Sequence, residues 1–350
     1  MVNFQAFNPF GSTVKTTTEI SQLRVYPIKS CRGVVLPSSY LTRKGLDLDR
    51  NWMFVTTADM KFVTIRQISE LTLIDTAFAT SASPTANGSE DDLELVISIR
   101  NNPSQRVQIP ARPTRDWLKA HTQLQEVEIW GTKTDGWIYN NEINRIFADH
   151  LHQPVALVYK GPTPRVAAGN AAKEHLGREE HVNFPDVLPV QIANEQSLAE
   201  LNQRLVAADQ DAITIERFRP NIVVKGNTDV GPWAEDSWKT VRVVPSSASP
   251  SEASGGGGVG WFGAATGALD IDVCCHCARC QVPNVEPETG VAHKKQPWDT
   301  LVSYRRIDEG IKWKPCFGML CCPRNEGAIA VGMRVEVLET TEGHVYKKGF

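Results

Sequence analysis

The sequence predicts a mainly β fold with some helix, of the α+β class. Two sequence patterns predict this class, and the chain length predicts the number of domains. Residues 20–110 contain short runs that alternate apolar and polar side chains and are separated by turn residues. Two segments in the middle of the chain place apolar residues at helical spacing. The length of 350 residues is enough for about two domains, each with its own core.

Short strands are predicted in the first third of the chain. Residues 23–26, 51–56 and 93–99 carry β-branched and aromatic side chains in alternation with polar ones. This pattern favours sheet, and its spacing suits a small barrel or sandwich. Residues 83–92 (SPTANGSEDD) are polar and contain Gly, Ser and Pro, which predicts a hairpin loop.

Two helices and further strands are predicted downstream. Apolar residues recur at helical spacing from residue 135 and stop before Pro154, where a helix is expected to end. These residues are Ile138, Ile143, Ile146, Phe147 and Leu151. A second apolar stripe predicts a helix over residues 195–206, and residues 161–183 between the two are predicted to be irregular. Strands are expected to resume at residues 222–224, 241–244 and 328–337.

The bulk composition argues against several classes of function. Lys and Arg number 37 and Asp and Glu 40, for a net charge of −3 without long runs of one sign, so nothing favours nucleic acid or an anionic membrane surface. No window holds the roughly 18 apolar residues of a membrane helix. The first twenty residues resemble neither a secretory signal nor an Arg-rich mitochondrial presequence. We therefore expect residues 1–19 to be a flexible tail of a cytoplasmic protein.

A glycine-rich stretch carries a motif that we reject. Residues 245–267 (PSSASPSEASGGGGVGWFGAATG) are predicted to be a flexible insertion. Gly258, Gly260 and Gly263 match the dinucleotide-binding fingerprint, but that fingerprint needs a strand before it and a helix after it. A Ser/Pro-rich stretch precedes it here. We therefore expect neither flavin nor NAD to bind the chain itself.

The cysteines are the strongest chemical signal. Four of the eight lie within seven positions, at 274, 275, 277 and 280. Clustered thiols without a secretory signal point to metal or redox chemistry rather than to a disulfide framework. Thiolates suit zinc, copper(I), iron–sulfur clusters or molybdenum, and the Cys-x-x-Cys spacing alone would fit a structural zinc site with distal partners. A second metal or redox site therefore stays open for Cys274, Cys275, Cys277, Cys316, Cys321 and Cys322.

Short motifs occur in sequence order along the chain, before and after Cys280. Arg279-Cys280 precedes residues 282–290 (VPNVEPETG) and 297–305 (PWDTLVSYR). The other runs are YPIKSCRG at 26–33, GLDLDRNW at 45–52, TIRQ at 64–67, DVLP at 186–189, FRPNIV at 218–223, AEDSW at 234–238, Phe317-Gly318 and the strand at 327–332. Together they resemble the MOSC superfamily of molybdenum-cofactor proteins over about residues 20–338, and the layout is similar to that of the mitochondrial amidoxime-reducing components.

The resemblance implies an architecture and a site. It implies a MOSC N-terminal β-barrel domain with a helix over residues 20–155, packed on a MOSC β-barrel domain over residues 160–340. Cys280 matches the family's catalytic metal ligand. The positions that match cofactor contacts are Lys29, Ser30, Thr64, Arg66, Arg219, Asn221 and Arg279. Arginine suits phosphate oxygens and pterin edges, and Arg279 beside Cys280 would favour the thiolate.

The function implied is a molybdenum-dependent oxidoreductase. Family members reduce N-hydroxylated compounds such as amidoximes and hydroxylamines, and they receive electrons from cytochrome b5 and its NADH-dependent reductase. The molybdenum cofactor (molybdopterin with molybdenum) would therefore be resident, and the partners would be a cytochrome b5-type donor and a small substrate. Relatives often carry an N-terminal membrane anchor, so mitochondrial association stays open.

Two other functions remain as alternatives. The MOSC domain also ends the molybdenum-cofactor sulfurases, so the chain could carry the cofactor or sulfur without reductase activity. Those enzymes bind pyridoxal phosphate in an upstream domain, whereas only a short tail precedes residue 20 here, which argues against sulfurase activity. The second alternative is a structural zinc module that uses the cysteine cluster for interaction.

Overall fold

The computed structural model describes residues 16–80, 92–246 and 267–349. The predicted tail up to residue 15, nearly all of the predicted hairpin loop and nearly all of the predicted insertion lie outside these residues. The strands on either side of the loop do pair, with Thr80 opposite Leu93.

The described residues form mostly strands. The strands are β1 (Thr16–Val25), β2 (Val34–Leu36), β3 (Ser38–Thr42), β4 (Gly45–Leu46), β5 (Trp52–Thr56), β6 (Ile74–Thr80), β7 (Leu93–Ile99), β8 (Asn102–Pro110), β9 (Thr122–Ile129), β10 (Thr132–Tyr139), β11 (Val155–Lys160), β12 (Arg165–Val166), β13 (His181–Val182), β14 (Val190–Asn194), β15 (Ile222–Val224), β16 (Trp238–Val244), β17 (Leu269–Ala278), β18 (Cys316–Pro323), β19 (Gly327–Ala330) and β20 (Arg334–Thr340). The helices are α1 (Arg115–His121), α2 (Asn141–Leu151), α3 (Lys173–Leu176), α4 (Glu195–Ala207) and α5 (Trp298–Tyr304). None of these helices is long and apolar enough to cross a membrane. The predicted mainly β, α+β class is confirmed.

Seven strands close into a barrel. Their order is β15, β14, β18, β17, β16, β20 and β1, and β1 pairs back onto β15, with Leu23 opposite Ile222. The pair β14 and β15 is parallel, and the other neighbours in the ring are antiparallel. Alternate side chains of each strand fill the interior. Closure leaves no edge strand in the ring, and it ties the first strand of the chain to strands near its end.

Smaller sheets pack beside the barrel. One has the order β5, β11, β10 and β9, and another has the order β6, β7 and β8. Helix α2 lies against β5, where the rings of Phe54 and Phe147 meet edge to face at 5.0 Å between centroids. The largest apolar cluster contains both of these residues and barrel residues such as Ile271, so the barrel and the adjacent sheets share one core.

Most of the predicted elements are confirmed, with three differences. Residues 161–183, predicted to be irregular, contain the short elements β12, α3 and β13. The strands near residues 23, 51, 93, 222 and 241 are present, and α4 covers the predicted helix at 195–206. The prediction that places Ile138 in a helix is wrong, because Ile138 pairs with Val158 in β10 and the side chain of Asn140 caps α2 just after it. The predicted strand over 328–337 is two strands, β19 and β20, because Gly332 interrupts them with a positive φ of 85°.

Barrel closure through β1 gives a first test. Leu23 is fully buried in β1, and we expect Leu23→Ala to lower the free energy of unfolding by about 2–5 kcal/mol, because it removes buried methyl groups and leaves a cavity. Val35 in β2 is 53% exposed, so Val35→Ala should change it by less than about 0.5 kcal/mol. Urea unfolding of both variants measures the difference. Equal losses of the free energy of unfolding in Leu23→Ala and Val35→Ala would contradict the assignment of β1 to the barrel core.

Candidate functional site

One cavity brings the predicted site residues together. It has a volume of about 400 Å³ and lies where the barrel meets the neighbouring sheets. Its wall is built from the loop after β1, the loop after β5, the turn before β15 and the residues that end β17. All eight residues predicted to form the site line it: Lys29, Ser30, Thr64, Arg66, Arg219, Asn221, Arg279 and Cys280.

The loop after β1 is fixed before it reaches the cavity. Lys29 N donates to Trp52 O at 2.8 Å, which anchors the loop to β5. Ser30 adopts a left-handed backbone with φ of 72°, and its Oγ accepts from Ile65 N at 3.4 Å. Thr64 in that second loop donates from N and Oγ1 to the side chain of Gln67, at 2.9 and 3.1 Å. The two loops therefore hold each other in position at the cavity wall.

Three side chains contact the carboxylate of Asp186. It forms an ion pair with Lys29, and Arg66 Nη2 lies 3.4 Å from its Oδ2. Trp130 Nε1 donates to Oδ1 at 3.1 Å, and the Arg66 guanidinium lies 4.8 Å from the centre of the Trp130 ring. Lys29 also donates to Phe184 O at 3.1 Å. A single carboxylate therefore orients two of the cavity's cations.

The pKa values at this cluster reflect burial and charge. Burial lowers the pKa of Lys29 to about 8, although the carboxylate of Asp186 opposes this shift. Burial would raise the pKa of Asp186, but the charges of Lys29 and Arg66 outweigh it and hold that pKa well below its usual range. Burial also acts to lower the pKa of Arg66, yet its interactions with Cys280 and Asp186 raise it. Arg66 therefore lies between the carboxylate and the thiol.

Arg219 and Arg50 lie against one tyrosine. Their guanidinium carbons are 4.3 and 4.6 Å from the centre of the Tyr26 ring. Arg50 Nη2 donates to Arg219 O at 3.1 Å, and Arg219 itself has a left-handed φ of 58°. The buried Nη2 of Arg219 has no hydrogen-bond partner among the described residues. A buried donor of this kind costs free energy unless a ligand or water accepts from it.

Asn221 and Gln191 support the cavity floor. Asn221 Oδ1 accepts from Gln191 N at 3.1 Å, and its Nδ2 donates to Arg24 O at 3.2 Å. The Asn221 side chain therefore links β14 to β1. Gln191 Oε1 accepts from Arg279 at 3.1 Å, while its buried Nε2 finds no acceptor within the part of the chain that the structure describes.

Arg279 and two thiols complete the wall. Arg279 Nη1 lies 2.7 Å from Cys277 Sγ, and Nη2 donates to Phe218 O. Burial raises the pKa of Cys277, although Arg279 opposes this shift. Cys280 is half-buried two residues beyond the end of β17. Its thiol borders the cavity, and Arg66 is the cation whose side chain interacts with it.

Several of the remaining cysteines lie close together without forming a candidate metal site among the described residues. In the described residues all eight are free thiols, and no group of three or more His, Cys, Asp and Glu side chains is placed to hold a metal ion. Cys274, Cys275, Cys277 and Cys322 pack in one apolar cluster with Leu320, and Cys277 and Leu320 from this cluster also line the cavity. This arrangement does not support the structural zinc alternative.

Sequence reasoning missed several residues of the wall. They are Arg50, Trp130, Asp186, Gln191, Cys277, Lys314 and Tyr346. Arg50 and Asp186 stood inside recognised motifs, so their motif positions were the signal that could have identified them. Trp130 and Tyr346 carry no such signal, because only the folded chain brings them to the cavity.

The donor set indicates what the cavity can hold. Its described lining contains six cations and one carboxylate: Lys29, Arg50, Arg66, Arg219, Arg279, Lys314 and Asp186. Such a surplus favours an anionic ligand, and the unpartnered donors of Arg219 and Gln191 favour one rich in acceptors. Cys280 lies at the same wall, and a cysteine binds a soft or high-valent metal through its thiolate form. A phosphorylated pterin that carries molybdenum fits this combination.

Comparisons with known proteins identify the same family over most of the chain. Residues 17–154 match the MOSC N-terminal beta barrel domain, and residues 179–336 match the MOSC domain. The chain is 28% identical to mitochondrial amidoxime reducing component 2 of Bos taurus, over 89% of this chain and 81% of that protein. It is 29% identical to mitochondrial amidoxime-reducing component 1 of Homo sapiens, over 91% and 82%. It is 30% identical to a molybdenum cofactor sulfurase of Arabidopsis thaliana, over 86% of this chain but 32% of that protein.

Lys29→Met should change how stability depends on pH. The pKa of Lys29 is about 8 in the folded chain, against 10.5 for an ordinary lysine. Between these values the unfolded chain binds more protons at this site, so the contribution of Lys29 to the free energy of unfolding rises with pH. We expect the wild type to gain stability relative to Lys29→Met across this interval. Urea unfolding at several pH values measures it, and a constant difference would show that burial does not shift this pKa.

Proposed function

The chain belongs to the MOSC family, and from this premise we propose that it is a molybdenum-cofactor-dependent oxidoreductase that reduces N-hydroxylated compounds such as amidoximes and hydroxylamines. The observation that supports the proposal most directly is the position of the Cys280 thiol beside Arg66 in a cavity with a surplus of cations. The names of the amidoxime-reducing relatives, which match over most of this chain, support the substrate class.

The residues at the wall suit distinct parts of the cofactor. Cys280 would be the metal ligand, since a thiolate binds molybdenum well. Lys29, Arg66 and Arg219 would bind phosphate, because charge-assisted hydrogen bonds to guanidinium and ammonium groups are the strong ones. The pterin would be contacted, or its contact residues held in position, by Ser30, Thr64, Asn221 and Arg279. When bound, the cofactor supplies the two-electron chemistry that removes oxygen from the substrate as water.

The chain itself supplies orientation and electrostatics. Asp186 fixes Lys29 and Arg66, so their charges are in place before the ligand arrives. The apolar members of the cavity wall, among them Leu188, Phe218 and Val282, would exclude bulk water from the reacting groups. Reduction of an amidoxime to an amidine consumes two electrons and two protons and releases water. We propose that the electrons come from a cytochrome b5-type protein and its NADH-dependent reductase.

A carrier of the cofactor or of sulfur is the second candidate. The match to a molybdenum cofactor sulfurase over 86% of this chain favours it. The test is turnover of benzamidoxime by the cofactor-loaded protein with reduced methyl viologen as the electron source. Reductase activity supports the first proposal, whereas bound cofactor that exchanges readily without turnover supports the carrier.

Cys280→Ala should remove molybdenum and activity together. We expect the variant to lose nearly all bound molybdenum, because the metal loses its protein ligand, and to show no benzamidoxime reduction. Cys316 is the matched control, since it is fully buried in β18 and does not line the cavity. Cys316→Ala should retain the metal. Metal analysis by mass spectrometry checks both variants, and a Cys280→Ala protein with full molybdenum would refute the ligand assignment.

Arg219→Gln should weaken cofactor binding. The variant loses a charge-assisted hydrogen bond worth about 1.5–3 kcal/mol, so we expect roughly ten- to hundredfold weaker retention of the cofactor. Arg242→Gln is the control, because Arg242 is 41% exposed and pairs with Asp270 on the barrel surface. Pterin fluorescence after release and oxidation measures occupancy. Equal occupancy of the two variants would argue against phosphate binding by Arg219.

A further inference from the structure

An exposed basic surface borders the cavity. It is formed by residues 306–314 and 345–348, which we call the basic rim. Trp313 in this surface is 69% exposed, and Ile307 and Val345 are 40% and 49% exposed. Several large apolar side chains that remain exposed on neighbouring segments commonly mark a surface that binds a partner.

The two segments of the basic rim form one continuous surface. Asp308 Oδ1 accepts from Tyr346 N at 2.8 Å and from Gly310 N at 2.9 Å. A Cβ at Gly310 would overlap the carbonyl oxygen of Tyr346, so the two backbones pack closely. His276 Nδ1 lies 2.8 Å from Asp308 Oδ2 and joins the surface to the barrel wall. The basic rim is therefore held by buried polar contacts rather than by loose loops.

The basic rim carries an excess of positive charge. Its cations outnumber its exposed carboxylate: Arg306, Lys312, Lys314, Lys347 and Lys348 against Glu309. No carboxylate of the described ranges forms an ion pair with Arg306, Lys312, Lys314 or Lys348. The whole chain has a net charge of −3, so this surface is positive although the chain as a whole is negative. Unpaired cations around an exposed tryptophan favour an acidic protein surface.

The basic rim also reaches the cavity directly. Ile311, Lys314 and Tyr346 belong to it and line the same cavity as Cys280. A protein bound there would lie next to the mouth of the site. Electrons that arrive from outside must reach this cavity, so a donor has reason to dock at this edge rather than elsewhere.

We propose that the basic rim is the docking surface for an acidic electron-transfer protein, with Trp313 as its apolar anchor. This inference rests on the proposed function, which requires two electrons and two protons from outside for each molecule of substrate reduced. The cations would steer the donor towards the cavity, and Trp313 would supply the apolar contact at the centre of the interface.

The test compares charge reversals inside and outside the basic rim. The variant Lys312→Glu/Lys348→Glu reverses two rim cations that have no ion pair, and Trp313→Ala removes the anchor. The control is Lys225→Glu, because Lys225 is exposed after β15 and does not line the cavity. The probe is an oxidised, acidic cytochrome b5-type haem domain, whose binding to the full-length cofactor-loaded protein is measured at low and high salt.

We expect the double reversal and Trp313→Ala each to weaken binding about tenfold or more at low salt. The double reversal should also flatten the salt dependence. Lys225→Glu should stay within about twofold of the wild type. With reduced methyl viologen, which needs no docking surface, benzamidoxime turnover by all three variants should match the wild type.

Two results would overturn the proposal. One is unchanged binding of the haem domain by both rim variants. The other is a loss confined to binding of vesicles that contain phosphatidylserine, which would make the basic rim a membrane contact. Absence of methyl viologen-driven turnover in the wild type would instead refute the reductase function, and the binding measurement would still decide the docking surface.

Discussion

The surplus of cations around a single carboxylate is the constraint on which the site depends. Lys29 and Arg66 share Asp186, while Arg219 keeps a buried donor without a partner among the described residues. Burying charge without compensation costs several kcal/mol per group. A phosphorylated ligand would add negative charge to this cavity and an acceptor for Arg219, which is why the proposed cofactor fits it.

Barrel closure keeps these charges in place. Strand β1 pairs with β15 and β20, so the loop that carries Lys29 starts from a strand held on both sides. Strand β17 brings Arg279 and Cys280 to the same end of the ring from distant sequence. Because a closed ring has no free edge, the spacing between these loops resists deformation. The basic rim is joined to this frame through His276 and Asp308.

The sequence allowed the fold class and much of the cavity wall to be predicted, because local patterns and ordered motifs carry that information. Lys29 or Arg66 alone would have looked like surface charge, and only the motif context singled them out. Ile138 was misplaced because its spacing fits a helix, while pairing with Val158 decides its strand conformation. Trp130 and Tyr346 could not be predicted, since long-range packing alone brings them to Asp186 and the cavity.

The central claim is that this cavity binds molybdenum through a pterin. The most direct measurement is the molybdenum, zinc and pterin content of the purified full-length chain, after expression in a host that makes the cofactor and in one that does not. We predict stoichiometric molybdenum and phosphorylated pterin from the first host and neither from the second. Stoichiometric zinc without molybdenum or pterin from the first host would contradict the claim.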